Sequence, residues 1–335
     1  LDPDTDGDKI SDGIEVENNS DPLDPNSLPK PKLPELIHRW AFDENGDSGT
    51  VLIDSVGGAH GIIEDAGTND GSVADGRVTL NGGGKSNTDF VRLPANLVSP
   101  LQSATIETWS THYSAQNWSR VFSVGSSSSN VMHMSFSRGT NINQNELRWN
   151  AQTNMTLQDF GGAPPNPLNE TVHWVVTIDD TGGPGGETKV IIYKDGDEVR
   201  TGNTSNDLSG LTDTDFFLGR SQWNDNTANA SWEDFRIYDG AMDPIAVKFS
   251  NAQGPDTAPG QIPFQITNIT YYADSQTADV TWNSKPGLNY IIWISEDGEE
   301  WADVDDAFES EGDSTTYTDI EATSQRLLIR VEVSE

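Results

Sequence analysis

Six of the first fifteen residues, "LDPDTDGDKISDGIE", are acidic: five aspartates and Glu15. Carboxylates this dense repel one another unless a cation sits among them. With Asp4 as position 1, Asp6 falls at 3, Asp8 at 5, the carbonyl of Ile10 at 7, Asp12 at 9 and Glu15 at 12. That is the ligand spacing of a twelve-residue calcium loop. An all-oxygen set of this size selects Ca2+. Lys9 stands at position 6, where glycine usually makes the sharp turn, so the loop departs from standard geometry there. The competing reading is a solvated acidic tail. The apolar residues of the piece, Leu1, Ile10, Ile14, Val16 and Leu23, are too few for a core, so bound metal would supply its folding energy.

A second chemistry is ligand stacking. Sugar rings pack on flat aromatic faces beside hydrogen-bonding groups. Three polar stretches offer such faces: "HYSAQNWSR" with Tyr113, Trp118 and Arg120; "NQNELRWNAQTN" with Arg148, Trp149 and Gln152; and "RSQWNDNTANASW" with Trp223, Asn224 and Asp225. Against this stands the usual fate of a strand-end tryptophan, which is to plug a core. Catalysis has thinner support. Glu107 in "ATIETWS" has no partner carboxylate in its own strand, and His38, His60, His112, His133 and His173 are scattered. His133 and His173 lie opposite apolar stripes, where a histidine is more often packed than reactive. No serine-hydrolase elbow or zinc-protease motif occurs.

The elements that must position these residues read as strands. Met132, Met134 and Phe136 share one face of their segment, and Val172, Trp174, Val176 and Ile178 share one face of theirs. Asp195–Gly196 marks a hairpin. One helix is expected over "DPIAVKFSNAQG", with Asp243 as cap, Pro244 first and Gly254 at the end. Many strands, 31 glycines and little helix imply a two-sheet sandwich or jelly roll.

The pattern D-x-D-x-D-x-x-S-D-G-x-E followed by "DPLDPN" resembles a thrombospondin type 3 repeat over residues 1–27. The resemblance implies shared calcium ions, with Asp2, Asp21, Asp24 and Asn26 as further ligands. "LPKPKLPE", residues 28–35, is a proline-rich spacer. The series "IHRWAFDENGDSGTVLIDSVGGAHG", "DGRVTLNGGG", "FVRLP", "ATIETWS", "VHWVVTID", "VIIYKDGDEV", "FFLGR" and "WEDFRIYDGAMDP" resembles the laminin-G-like, concanavalin-like jelly rolls of environmental bacteria over residues 36–254. It implies two stacked antiparallel sheets and often glycan binding or adhesion, and it places Asp54 and Asp234 near a structural calcium. Residues 255–263 form a linker. Residues 264–335 read as six or seven short strands, a fibronectin III or immunoglobulin-like sandwich. Within it, Trp282, Tyr290 and Trp301 match a module from the C-terminal ends of exported proteins of planctomycete- and verrucomicrobium-like bacteria, and all three are expected in its core. The fold class is therefore all-β.

Bulk composition narrows the function classes. The 335-residue chain carries 54 acids against 19 bases, a net charge of −35, which repels nucleic acid and anionic membranes and attracts divalent cations. There is no cysteine, hence no thiol chemistry or disulfide. No apolar run reaches 18 residues, so membrane insertion by a helix is not expected. The chain opens in mid-motif and reads as part of a longer exported product. The expectation is an extracellular, calcium-stabilised protein that binds a glycan or surface polymer through the jelly roll and performs no reaction. The alternatives are a structural subunit, assembling with copies of itself into a layer, fibre or adhesin stalk, and an accessory part of a polysaccharide-degrading enzyme.

Overall fold

Strand Thr171–Asp179 shows how the larger part of the molecule is built. Val172, Trp174, Val176 and Ile178 enter the main core, while His173, Val175 and Thr177 face the other way. The same alternation sends Met132, Met134 and Leu147 inward and His133 and Arg148 outward. The computed structural model describes residues 5, 12–17, 20–23, 33–150, 156–158, 164–257, 266–284, 289–310, 314–324 and 326–333. It divides into two units, Leu1–Gly260 and Gln261–Glu335.

In the first unit two antiparallel sheets face each other across one large apolar core. The first sheet runs Asp197–Thr204, Thr188–Lys194, Thr171–Asp179, Ser103–Ser114, Thr227–Asp239, Arg77–Gly83, Ser72–Ala74 and Gly46–Asp47, with Glu35–Trp40 also paired to Thr227–Asp239. The second runs Thr156–Gln158, Glu146–Trp149, Asn130–Ser135, Arg120–Ser127, Asp215–Gly219, Phe90–Leu93, Gly61–Glu64 and Val51–Leu52. The tight hairpin at Asp195–Gly196 forms with positive φ at both positions, +51° and +88°.

Helix Pro244–Gln253 has the ends its sequence prescribes. The Asp243 carboxylate accepts from the Ala246 amide at 2.7 Å, Pro244 opens the helix and Gly254 closes it at φ 77°. The helix packs Ala246 and Val247 on Val175, Tyr193 and Tyr238, a second cluster on the outer face of the first sheet. One element went unforeseen: a six-residue helix at Asp12–Glu17. In the second unit, six strands form two three-stranded sheets, Ile266–Tyr272/Thr277–Asn283/Ser314–Glu321 and Ala302–Glu309/Asn289–Ser295/Leu328–Val333, around Val280, Trp282, Tyr290 and Ile292. Trp301 departs from expectation. It is half-buried, stands outside this core and is covered by the Arg330 guanidinium at 4.7 Å.

Candidate functional site

The registers of the second sheet place Arg148, His133, Ser123, Phe217, Arg92 and Ile62 in one transverse row, each flanked along its strand by residues of the core. The row therefore faces away from the first sheet. Arg120 joins this face through an irregularity. Strict alternation would send it inward with Phe122 and Val124. Phe122 pairs with Met134 and Leu218, but Arg120 pairs with Ser135 and Gly219, so Val121 is one residue too many against both neighbouring strands. Such a bulge re-aims side chains. Val121 drops into the core, and Arg120 turns to the outer face beside His133.

The approach to the bulge is strained. Trp118 has φ +56°, a conformation costly for a bulky residue. Three hydrogen bonds hold the turn: the Trp118 amide donates to Gly139 O at 3.1 Å, the Asn226 amide to Asn117 O at 3.1 Å, and the Arg120 guanidinium to Trp118 O. On the other side, residues 221–225 fold over the sheet. The Lys85 ammonium donates to the carbonyls of Ser221 (2.8 Å) and Trp223 (2.6 Å), and the Trp223 amide donates to Ser221 Oγ. Trp223 then stands edge-on to His133 at 5.4 Å.

A cleft of about 230 Å³ opens between these parts, lined by Trp118, Arg120, His133, Glu146, Arg148, Trp223 and Asp225. Trp118, Trp223 and Arg148 are half-buried, whereas Arg120, His133 and Glu146 are buried. The Arg120 guanidinium lies 5.8 Å from the Trp118 ring and 5.6 Å from the Trp223 ring, and it donates to Asp225 Oδ2 at 2.9 Å. Burial pulls Arg120 down to about 10 against the attraction of Asp225. Burial, with the charge of Arg120, pushes His133 down to about 4, so it is neutral at neutral pH. Burial alone would raise Glu146, but His133, Arg148 and Arg138 outweigh it and hold the carboxylate below its usual range.

The three aromatic stretches named from sequence thus converge through Trp118, Arg148 and Trp223. Trp149, Tyr113 and Asn224 do not join them, and Gln152 lies outside the described residues. Trp149 is 1% exposed and sits in the core opposite Met132; adjacent strand residues point to opposite faces, so Arg148 and Trp149 cannot both line one cleft. Tyr113 belongs to the first sheet, where its hydroxyl meets Ser231 Oγ at 2.9 Å. Sequence reasoning missed His133 and Glu146 as cleft residues. Their signal was the alternation itself, which sets them on the face of Arg148.

The outer face of the first sheet holds the other buried charge cluster. Glu107 accepts from His173 Nε2 (2.8 Å), Tyr238 Oη (2.7 Å), Arg236 Nη1 (3.2 Å) and Ser250 Oγ, the last from helix Pro244–Gln253. Trp109 stacks on His173 at 4.2 Å and lies under Arg236 at 4.6 Å. Glu107, His173, Arg236 and Tyr238 are at most 2% exposed, so this cluster fastens the helix and meets no substrate.

The calcium role implied for Asp54 does not fit the structure. Asp54 accepts from His38 Nδ1 (2.7 Å) and from the amides of Arg39, Val56, Gly57 and Ala59. Burial alone would raise its pKa, but these donors hold the carboxyl well below the usual range. It organises a turn. Asp234 is ion-paired with Arg39 (2.9 Å) and Arg236 (3.0 Å). Asp54 thus spends both oxygens on protein donors, whereas both arginines meet Asp234 Oδ2 and its buried Oδ1 has no partner among the described residues. Of the N-terminal candidates, Asp2, Asp4, Asp6, Asp8, Ile10, Asp24 and Asn26 lie outside the described residues. Asp12 accepts from the amide (2.8 Å) and hydroxyl (2.6 Å) of Thr5. Glu15 is fully buried and accepts from Ser20 Oγ, and Asp21 accepts from the Leu23 amide. Among the described residues no three His, Asp or Glu side chains are grouped to hold a metal.

Residues 84–248 match the laminin G family described as the concanavalin A-like lectin/glucanases superfamily. No curated protein matches the chain at a significant level. Among solved structures, Trypanosoma rangeli sialidase in complex with sialic acid is similar at 16% identity and a TM-score of 0.49, over 67% of this chain and 34% of that one. The chain thus spans about a third of the sialidase. Domain 4 of AbnA, an extracellular arabinanase of Geobacillus stearothermophilus, in complex with arabinotriose, is similar at 18% identity and a TM-score of 0.42, over 64% of this chain and 98% of that domain. Likeness of this degree carries no argument about a ligand.

Proposed function

We propose that the first unit recognises a saccharide in the cleft of the second sheet, with Trp118 and Trp223 offering aromatic surface and Arg148 and Arg120 the polar contacts. One observation carries this reading: stretches far apart in sequence, 118–120, 133–148 and 223–225, meet in one concavity where a bulge and a left-handed tryptophan shape the wall. The match of residues 84–248 to a lectin and glucanase superfamily fits it. Binding without chemistry is preferred because Glu146 and Asp225 are ion-paired with Arg138 and Arg120. A carboxyl held below its usual range is also a poor general acid. Saturable binding of the full chain to immobilised polysaccharides, lost in Trp118→Ala and Trp223→Ala with the urea midpoint unchanged, supports the proposal. Binding unaffected by both substitutions refutes it.

On this reading the N-terminal segment holds Ca2+ and the protein works outside the cell. Support comes from the ligand spacing of residues 4–15 and from the burial of Glu15, since a carboxylate removed from water needs a cation or hydrogen-bond donors. Calcium titration of the full chain by calorimetry tests it, and no heat of binding at millimolar calcium removes it. A second reading, assembly with copies of itself, is favoured by strand Ile266–Tyr272. Among the described residues it pairs only with Thr277–Asn283, and it exposes Ile269, Tyr271 and Tyr272. Concentration-dependent assembly seen by light scattering, abolished by Ile269→Lys, would favour it.

A further inference from the structure

We propose that the cleft takes an anionic saccharide, the carboxylate or sulfate of one terminal ring seated against Arg120 and Arg148; this rests on the saccharide-binding reading above. The first observation is where the few bases lie. The chain has 19 of them against 54 acids. Six gather at the outer face of the second sheet and its rim: Lys85, Arg92, Arg120, Arg138, Arg148 and Arg220. Among the described residues they form ion pairs with Glu64, Asp215, Glu146 and Asp225. Such a gathering of bases on a strongly acidic protein is a local exception.

The second observation concerns buried donors. Arg120 is 3% exposed and lines the cleft, yet its Nε has no hydrogen-bond partner among the described residues. His133 is 1% exposed, and its Nδ1 has none either. Its Nε2 stands 3.5 Å from Glu146 Oε1, the far limit of such a bond. Buried polar groups are nearly always satisfied; Arg236 Nε and His173 Nδ1 under the helix are left over too, but Arg120 and His133 border an open cleft where an acceptor can arrive. The lining acids do not supply it. Asp225 Oδ2 is taken by Arg120 Nη2 and Ser221 Oγ, and Glu146 Oε2 by Arg138 Nε. A ligand oxygen bearing charge is the complement, because guanidinium binds carboxylate and sulfate-like oxyanions through charge-assisted bonds. The depressed Arg120 fits: burial disfavours its charge and Arg148 adds repulsion, both of which an anion relieves.

Size narrows the ligand. About 230 Å³ is below the roughly 300–1,000 Å³ of sites that enclose drug-sized molecules, so the cleft holds one ring, an end or branch rather than the middle of a polymer. The net charge of −35 does not forbid an anion there. At physiological ionic strength charges beyond about 8 Å are largely screened, while the arginines act in contact.

The test titrates the full chain calorimetrically with three oligosaccharides of equal length: a galacturonic acid oligomer, its carboxyl-reduced galactose counterpart, and an O-sulfated galactose oligomer. The expected result is that at least one anionic probe binds about tenfold or more tighter than the neutral one, as a charge-assisted bond implies. The tighter of the two anionic arms identifies the anion. Arg148→Gln, a half-exposed position whose urea midpoint should not move, is expected to bring the anionic-to-neutral ratio toward one, whereas Trp118→Ala weakens every probe. Equal affinity for the neutral probe and both anionic probes overturns this inference and leaves saccharide recognition standing. Failure of all three probes overturns both.

Discussion

Glu107→Gln tests the account of the buried network. The carboxylate is fully enclosed and receives four donors, one of them the guanidinium of Arg236. Burial by itself would raise its pKa. The hydrogen bond from His173, the charge of Arg236 and the Ser250 hydroxyl outweigh burial and hold it at about 2, against 4.5 for an ordinary glutamate. That gap corresponds to roughly 3 kcal/mol of folding stability. The folded pKa is depressed, so this stability is fully present above pH 4.5 and is lost as pH falls toward 2. Glutamine keeps the shape but removes the charge, and its amide turns an N–H toward a ring of donors. Breaking one side of a buried ion pair costs about 3–5 kcal/mol, so the variant should lose that much at pH 7. At pH 2 about half of the wild-type side chains are already protonated, so the gap between the two proteins should be much smaller than at pH 7. Urea unfolding by tryptophan fluorescence at pH 7, 5, 4 and 3 reads the difference. The many other carboxylates titrate in both proteins and cancel. A gap that stays constant from pH 7 to pH 3, or one below about 1 kcal/mol at pH 7, refutes the network as described.

Trp118→Gly should separate strain from function. It removes a left-handed penalty of about 1–2 kcal/mol and a cation–π contact of about 0.5–1 kcal/mol. The urea midpoint should therefore hold or rise slightly while saccharide binding is lost; a clear drop in stability would show that the turn is not strained. Trp149→Ala should cost about 3–5 kcal/mol, as for any large core side chain, and should weaken binding only as far as it unfolds the sandwich. Calcium chelation should open the first 30 residues to proteases while the sandwich survives, and identical digestion with and without chelator would show that the loop is no structural site. Asp8→Ala should lower calcium affinity more than Asp24→Ala by calorimetry, and equal losses would mean that the ligand register starting at Asp4 is wrong.

Period-two alternation carried most of what the sequence disclosed. It set Met132, Met134, Trp174 and Ile178 in the core and His133 and His173 outside it, and the structure agrees. Turn and cap chemistry marked the Asp195–Gly196 hairpin and the ends of helix Pro244–Gln253, because those residues act on the backbone next to them. What stayed hidden depends on partners distant in sequence. Val121 is a bulge only relative to Ser135 and Gly219, so the turning of Arg120 could not be read from its own strand. Asp54 lies 15 residues from the Arg39 amide it accepts, and Asp234 lies 195 from Arg39 itself. From sequence each is one more aspartate in an acidic chain.

The two outer faces of the sandwich explain why alike residues carry different roles. Glu107 with His173 and Glu146 with His133 are the same side-chain pairs, each on adjacent strands and turned from the core. Composition cannot tell them apart. The difference lies above them. Over Glu107 the chain lays its own helix, and Ser250 supplies a donor that solvent or a ligand would otherwise provide. The polar set is then covered, and Arg236 Nη2 also donates to the carbonyls of Gly254, Pro255 and Thr257, tying down the chain beyond the helix, while Arg236 Nε and His173 Nδ1 stay without partners among the described residues. Over Glu146 no helix lies among the described residues; the cover is the short turn at 221–225, pinned by Lys85, and it leaves a gap the width of one ring. Donors at Arg120 and His133 remain there without acceptors. Unpartnered buried donors thus occur on both faces, and what separates the two is access. Under the helix no ligand reaches them, whereas at the second sheet they border an open cleft, and this difference in access is why recognition is assigned to the second sheet.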